Sequence, residues 1–174
     1  GRSIGGPLDG VVSAGVVDVG VDNEGNVYVT SIFEYPYVVF GADTLTNMGS
    51  GDIFVAKYDS YGNYLWAISA GGTSYDGARS LAVDESGNVT ITGLFQSPII
   101  FFDTVAVNNP ATGMSMFLAS YDAGGNLLWA KAEGGPGQTM GYYVSPYIAG
   151  GGTVSTGFHN APSAQFGNTT LTSA

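Results

Sequence analysis

The sequence predicts an all-β fold assembled from repeated four-stranded sheets, and three observations lead there. Trp66 and Trp129 recur 63 residues apart in the same local context. The pattern Asp-x-x-Gly-Asn appears twice in each full period. The runs between these patterns are rich in β-branched and aromatic residues, which suit a pleated, half-buried surface. Composition agrees: 28 glycines and a charged fraction of 10% fit short strands and tight turns, whereas Gly weakens helices and exposed helix faces are usually rich in Lys and Glu.

The repeat can be followed residue by residue. Asp22-Asn23-Glu24-Gly25-Asn26-Val27 with Phe33 returns as Asp84-Glu85-Ser86-Gly87-Asn88-Val89 with Phe95. Phe54 to Asp59 and Gly62 to Ala67 return as Phe117 to Asp122 and Gly125 to Ala130. Gly5-Gly6, Gly71-Gly72 and Gly134-Gly135 mark the start of each copy, giving repeat 1 over 5–70, repeat 2 over 71–133 and a partial repeat 3 over 134–174. The third copy ends after Phe166 to Leu171, the counterpart of Phe40 to Leu45, so the chain holds about two and two-thirds copies.

Each Asp-x-x-Gly-Asn reads as a hairpin turn, because Asp and Asn side chains cap turns and Gly takes positive φ cheaply. Val27 to Thr30, Val89 to Thr92 and Ile53 to Tyr58 are the predicted flanking strands. Two hairpins per copy make four strands, and a sheet of this size cannot bury both faces alone, so copies must stack. Four-stranded repeats point to β-propeller blades, and the extra length falls in a middle segment that includes Asn108 to Gly113. The array is then a fragment or part of a larger ring. An open blade face of standard interface size, roughly 800 Å², represents up to about 20 kcal/mol of burial. Partner blades, from the same or a neighbouring chain, are therefore expected.

Charge narrows the function. Four basic residues (Arg2, Lys57, Arg79, Lys131) face 14 acidic ones, for a net charge of −10, which repels nucleic-acid phosphates and anionic lipid alike. No apolar run approaches a helical membrane span, and no signal-peptide pattern is visible. The absence of Cys excludes disulfides, thiolate metal sites and Cys nucleophiles.

Each candidate site also has a plain structural role. The Asp-x-x-Gly-Asn turns could hold Ca²⁺, yet they lack the terminal Glu of an EF-hand loop and the same residues explain a tight turn. His159 is the single histidine and has no nucleophile-elbow sequence to serve; it reads as a loop or blade-surface residue. No pair among Glu24, Glu34, Glu85 and Glu133 is selected for glycoside hydrolysis, and Glu24 and Glu85 lie in turns. Neither catalytic residues nor a cofactor are assigned. Trp66 and Trp129, repeated with Tyr58, Tyr121, Phe54 and Phe117, read as inter-blade core. Tyr35 and Tyr37 in the first copy, and Tyr142, Tyr143 and Tyr147 in the third, have no repeat counterpart and are the candidate recognition aromatics.

The order Gly-Gly, Asp-x-x-Gly-Asn-Val, Phe-Gly-x-x-x-Leu, Asp-x-Phe-Val-Ala-Lys-Tyr-Asp, Gly-Asn-x-Leu-Trp-Ala resembles the bacterial β-propeller repeat called SBBP. It covers nearly the whole chain and is strongest from Gly51 to Gly72; the third copy departs from it, with Ala149 to Thr153 in place of Asp-x-x-Gly-Asn. The resemblance implies a secreted or cell-surface protein of the Bacteroidetes kind, in some cases exported by type IX secretion. It also implies that Asp43-Thr44-Leu45 and Asp103-Thr104-Val105 match an O-glycosylation pattern, making Thr44 and Thr104 candidate attachment residues. The leading functional expectation is a noncatalytic binding or scaffolding module meeting a protein or glycan ligand. The alternatives are part of an extracellular carbohydrate-active enzyme whose site needs the complete ring, and a structural stalk or filament subunit.

Overall fold

The computed structural model describes residues 17–111, 113–135, 137–147, 152–160, 163–166 and 168–172. Gly5-Gly6 and residues 149–151 of the altered third turn lie outside them. Among the described residues all sixteen regular elements are strands. The first copy contributes β1 (Asp18–Val21), β2 (Val27–Phe33), β3 (Tyr37–Phe40), β4 (Asp43–Thr46), β5 (Asp52–Tyr58) and β6 (Tyr64–Gly71). The second contributes β7 (Asp76–Val83), β8 (Val89–Phe95), β9 (Ile99–Phe102), β10 (Val105–Asn108), β11 (Ser115–Tyr121) and β12 (Leu127–Glu133). The third contributes β13 (Thr139–Tyr147), β14 (Gly152–His159), β15 (Ser163–Phe166) and β16 (Thr169–Thr172).

The architecture is propeller-like. The second blade is an antiparallel sheet in the order β7-β8-β11-β12, and the first repeats that order as β1-β2-β5-β6. No closed ring forms among the described residues. The predicted turns are present: in each, the amide of the Gly donates to the carbonyl of the Asp at 2.9–3.0 Å. The glycines at 25, 62, 87 and 125 take φ between 78° and 85°, where side chains with a Cβ pay a steric cost.

The middle of each copy holds a further hairpin beyond the expected four strands: β3-β4, β9-β10 and β15-β16. This hairpin, rather than a long loop, accounts for the long repeat. It also couples blades, since β9 pairs with the outer strand of the preceding blade at Ala70↔Phe102 and Gly71↔Phe101. The Gly71-Gly72 pair is explained here: a Cβ on Gly71 would lie 2.1 Å from the Asp52 carboxyl carbon, and one on Gly72 would lie 2.3 Å from the Ile99 carbonyl oxygen.

The core lies between blades. Tyr28, Ile53, Val55 and Ala70 of the first blade pack with Val89, Ile91, Phe95, Phe117, Ala119 and Tyr121 of the second, closed by Ile100 and Phe102 from β9. The inner strands β5, β8 and β11 are covered on both faces and are buried at every position. Each large apolar side chain buried here contributes about 1.5–3 kcal/mol.

Candidate functional site

The two tryptophans, expected to be equivalent core residues, differ. Trp66, on β6, is partly buried against the inter-blade core. Its Nε1 donates to the carbonyl of Ala123 at 3.1 Å, and the turn glycine Gly125 lies so close that a Cβ there would sit 3.1 Å from the indole ring. Lys57 Nζ donates to the same Ala123 carbonyl at 3.1 Å. It also lies 3.7 Å from Asp22 Oδ2 and 4.7 Å from the centre of the Tyr28 ring. The Tyr28 hydroxyl bridges the Gly87 carbonyl at 2.9 Å and Asp22 Oδ2 at 3.2 Å. Both turns of the second blade are thus fastened to the first.

The outer face of the second blade presents the same positions with different residues. Thr90 replaces Tyr28, Ser120 replaces Lys57, and Trp129 occupies the Trp66 position but is 38% exposed. Inter-blade core therefore describes Trp66 and not Trp129. Thr90 and Ser120 bond to each other at 3.1 Å, and their short side chains leave a cleft of about 510 Å³. Trp129, Leu128 and Pro146 give it an apolar wall, while Asp22, Asp84 and Glu85 make another part acidic. Its size falls in the range of ligand-binding pockets. The sequence signal was present, as two changes from bulky to small beside an unchanged Trp.

The electrostatics of the turns point to a structural role for their acids. For Asp59 and Asp122 the side-chain amides of Asn63 and Asn126 are the main cause of a pKa below the ordinary carboxylate value, reinforced by backbone N–H donors. Burial pulls Asp22 upward, but donors from Asn26, Glu24 and Tyr28 outweigh it and leave its pKa lowered. These carboxylate oxygens already accept hydrogen bonds from their own turns, the geometry that the capping reading of the sequence requires.

A second acidic feature has no motif in the sequence to mark it. Asp52 and Asp76 are buried where the first two blades meet. Desolvation raises the pKa of Asp52 to about 6, helped by the nearby charge of Asp76. Desolvation also raises Asp76, although Ser97 and Gln96 donate hydrogen bonds to it. Asp52 Oδ2 accepts from the Met48 amide at 2.8 Å, while its Oδ1 is buried without a partner.

The recognition aromatics fall into two separated groups. Tyr35 and Tyr37 lie at the β2–β3 connection and the start of β3, both exposed. Tyr142 and Tyr143 lie on β13 at a bulge, and Tyr143 is 71% exposed. Among the described residues no ring contact joins the groups. Tyr147 ends β13, and its side chain lies outside the described residues. His159 sits in strand β14 opposite Thr139, a correction to the loop alternative.

Thr44 and Thr104 are both exposed but not equivalent. Thr44 lies within β4, whereas Thr104 is in the β9–β10 turn beside Asp103, which takes a φ of 54°. The neighbouring Asp43 accepts a hydrogen bond from the Tyr64 hydroxyl.

No protein-family model matches the chain. An uncharacterized WD repeat-containing protein of Acanthamoeba polyphaga mimivirus is 25% identical over 141 residues, 73% of this chain and 10% of the relative. The regulatory protein FlaEY of Caulobacter vibrioides is 33% identical over 89 residues, 50% of this chain and 9% of the relative. The chain spans about a tenth of the length of these curated relatives. The WD repeat is a four-stranded propeller-blade unit. The repeat, the strand order and this likeness agree on a β-propeller repeat protein.

Proposed function

We propose that this chain is a noncatalytic protein-interaction module whose blades present the Trp129 cleft and the exposed tyrosines to a partner protein. One observation carries the reading: the position matching the Trp129 cleft on the first blade is filled by a protein turn, Asp122 to Asn126, resting on Trp66. Rigid repeat scaffolds that display variable side chains commonly serve recognition, and the WD repeat relative supports the same class. The buried Asp52 and Asp76 favour a structural task for those acids over hydrolysis, since a glycosidase pair must flank an accessible bond.

The test is site-specific photocrosslinking. A benzophenone side chain at Trp129 or Tyr143 captures a discrete partner protein, and the same group at Glu24 captures none. Equal capture at all three positions, or hydrolysis of a polysaccharide by the purified chain, overturns the reading.

We further propose an extracellular or cell-surface location and O-glycosylation at Thr44 and Thr104, on the SBBP-type resemblance of the repeat. Intact mass of protein purified from its native source checks the glycans. A peptide containing Thr44 or Thr104 at its unmodified mass alone removes that residue.

A further inference from the structure

The first two copies close the turn of their middle hairpins differently. In the first copy the Tyr64 ring lies so close to the β3–β4 turn that a Cβ on Gly41 would overlap it, and the Tyr64 hydroxyl donates to Asp43. The second copy has neither residue: Leu127 stands in the place of Tyr64, and Val105 in the place of Asp43. Its β9–β10 turn carries Asp103 where the sequence of the first and third copies has Gly41 and Gly167. Asp103 takes a φ of 54°, close to the 58° of Gly41. A left-handed backbone costs a residue with a Cβ more than it costs glycine, so the repeat's own glycine suits this turn better. Stability given up for a particular side chain is a feature of binding sites.

A groove of about 840 Å³ lies between the middle hairpins of these two copies, within the size range of ligand sites. Its walls all come from the first two copies, between residues 44 and 127. Thr46 and Ser69 line it from the first copy, and Phe101, Asp103 and Thr104 from the β9–β10 hairpin, with Tyr121 and Leu127 joining them. Tyr121 makes the sharpest chemical demand. It is 2% exposed, and its hydroxyl is buried without a hydrogen-bond partner. Burial, and then the charge of Asp103, raise its pKa above the ordinary phenol value, so the hydroxyl keeps its proton and remains a donor. An unpaired buried donor is costly. The exposed Asp103 carboxylate only accepts. A ligand group placed between them must accept from one and donate to the other. An ammonium has no lone pair to offer Tyr121, and a ligand carboxylate is repelled by Asp103. A hydroxyl does both. Phe101 and Val105 expose apolar surface in the same groove for the C–H face of a sugar ring.

We propose that the groove between the middle hairpins of the first two copies binds a neutral saccharide, one of whose hydroxyls donates to Asp103 and accepts from Tyr121. The site goes beyond the protein-interaction reading and is separate from the Trp129 cleft, so either can fail alone. The hydroxyls of Thr46, Ser69 and Thr104 are available to further sugar hydroxyls.

The experiment uses the whole chain with the peptides containing Thr44 and Thr104 at their unmodified mass, because both residues line the groove. The probes are maltose, cellobiose, lactose and N,N′-diacetylchitobiose, followed by saturation-transfer NMR, with hexylamine and N-acetylglycinamide as the cationic and amide alternatives. At least one disaccharide is expected to bind. D103G weakens it about tenfold or more, the loss of a hydrogen bond to a charged group, and Y121F weakens it on the order of fivefold. L127Y, which restores the ring of the first copy, abolishes binding. D103G and Y121F melt no lower than the wild type, since one restores the repeat's glycine and the other deletes an unpaired hydroxyl. Failure of all the disaccharides at their solubility limits overturns the proposal, as does binding that the three substitutions leave unchanged. Binding of hexylamine or N-acetylglycinamide that D103G removes, with no disaccharide bound, makes the groove a cation or amide site and overturns it as well. A Y121F chain that melts well below the wild type shows that the hydroxyl already has a structural partner, and overturns the assignment.

Discussion

The Trp66 and Trp129 faces begin from nearly the same sequence and end in different states. At Trp66, the Tyr28 hydroxyl, Lys57 and the indole itself donate to two turns of the second blade, with Asp22 of the first blade beside Lys57. At Trp129, Thr90 and Ser120 satisfy each other, and no turn covers the indole among the described residues. A motif residue in a repeat protein therefore has no fixed role. Its task depends on what the adjacent copy brings to it.

The sharpest way to break the comparison is truncation of each tryptophan. Trp66→Ala removes a packed ring and one of the two donors to the Ala123 carbonyl, and is expected to cost about 3 kcal/mol. Trp129→Ala is expected to cost less than about 1 kcal/mol. Urea unfolding of both variants checks this, and similar losses would erase the distinction.

Acid dependence separates the junctions next. The first junction holds Asp52 and Asp76, whereas the corresponding positions of the second are Ser115 and Thr139. Thr139 Oγ1 donates to the Glu133 carbonyl, and Ser115 donates to Asn109. The folded-state pKa of Asp52 is raised from 3.8 to about 6, so the folded state binds more protons than the unfolded state between those values. The Asp52 contribution is most favourable below pH 4, falls as pH rises toward 6 and stays low above it, an effect of up to roughly 3 kcal/mol. Asp76 is raised by desolvation and adds in the same direction. The turn acids Asp22, Asp59 and Asp122 have lowered pKa values and act oppositely, losing stability as pH falls below the ordinary carboxylate range. Thermal melts between pH 4 and 7 should show a fall in Tm that D52N flattens. An unchanged slope in D52N assigns the dependence elsewhere.

Matched glycines give a smaller effect. Gly62 and Gly125 have φ of 82° and 85°, yet a Cβ on Gly62 meets nothing within 4 Å, while one on Gly125 meets Trp66. Gly62→Ala should cost about 1 kcal/mol from backbone strain alone, and Gly125→Ala about 1 kcal/mol more from displacing the indole. Equal losses would mean that the turn does not press on Trp66. The smallest expected change is a gain: T90Y with S120K rebuilds the Tyr28–Lys57 arrangement in the cleft and should add about 0.5–1 kcal/mol while blocking partner capture at Trp129.

Much of this fold was legible because its signals are local. The four Asp-x-x-Gly-Asn turns require particular side chains and a positive-φ glycine, and the long strands flanking them announce themselves by composition. The middle hairpins were missed because Ile99 to Phe102 is a short, wholly apolar run without alternation in its sequence. Only its place against β6 and the core decides which side chains are covered. The Trp129 cleft was hidden for a related reason. Repetition predicted equivalence, while the differences lay at Thr90 and Ser120, which matter only once they stand beside Trp129 in space. The paired burial of Asp52 and Asp76 is likewise non-local, created where two blades meet.

The most direct test of the central claim is acrylamide quenching of single-tryptophan variants. W66F leaves Trp129, which should emit at longer wavelength and quench readily; W129F leaves Trp66, which should emit at shorter wavelength and resist quenching. Equal emission and equal quenching of the two variants would contradict the claim that one face is closed and the other open.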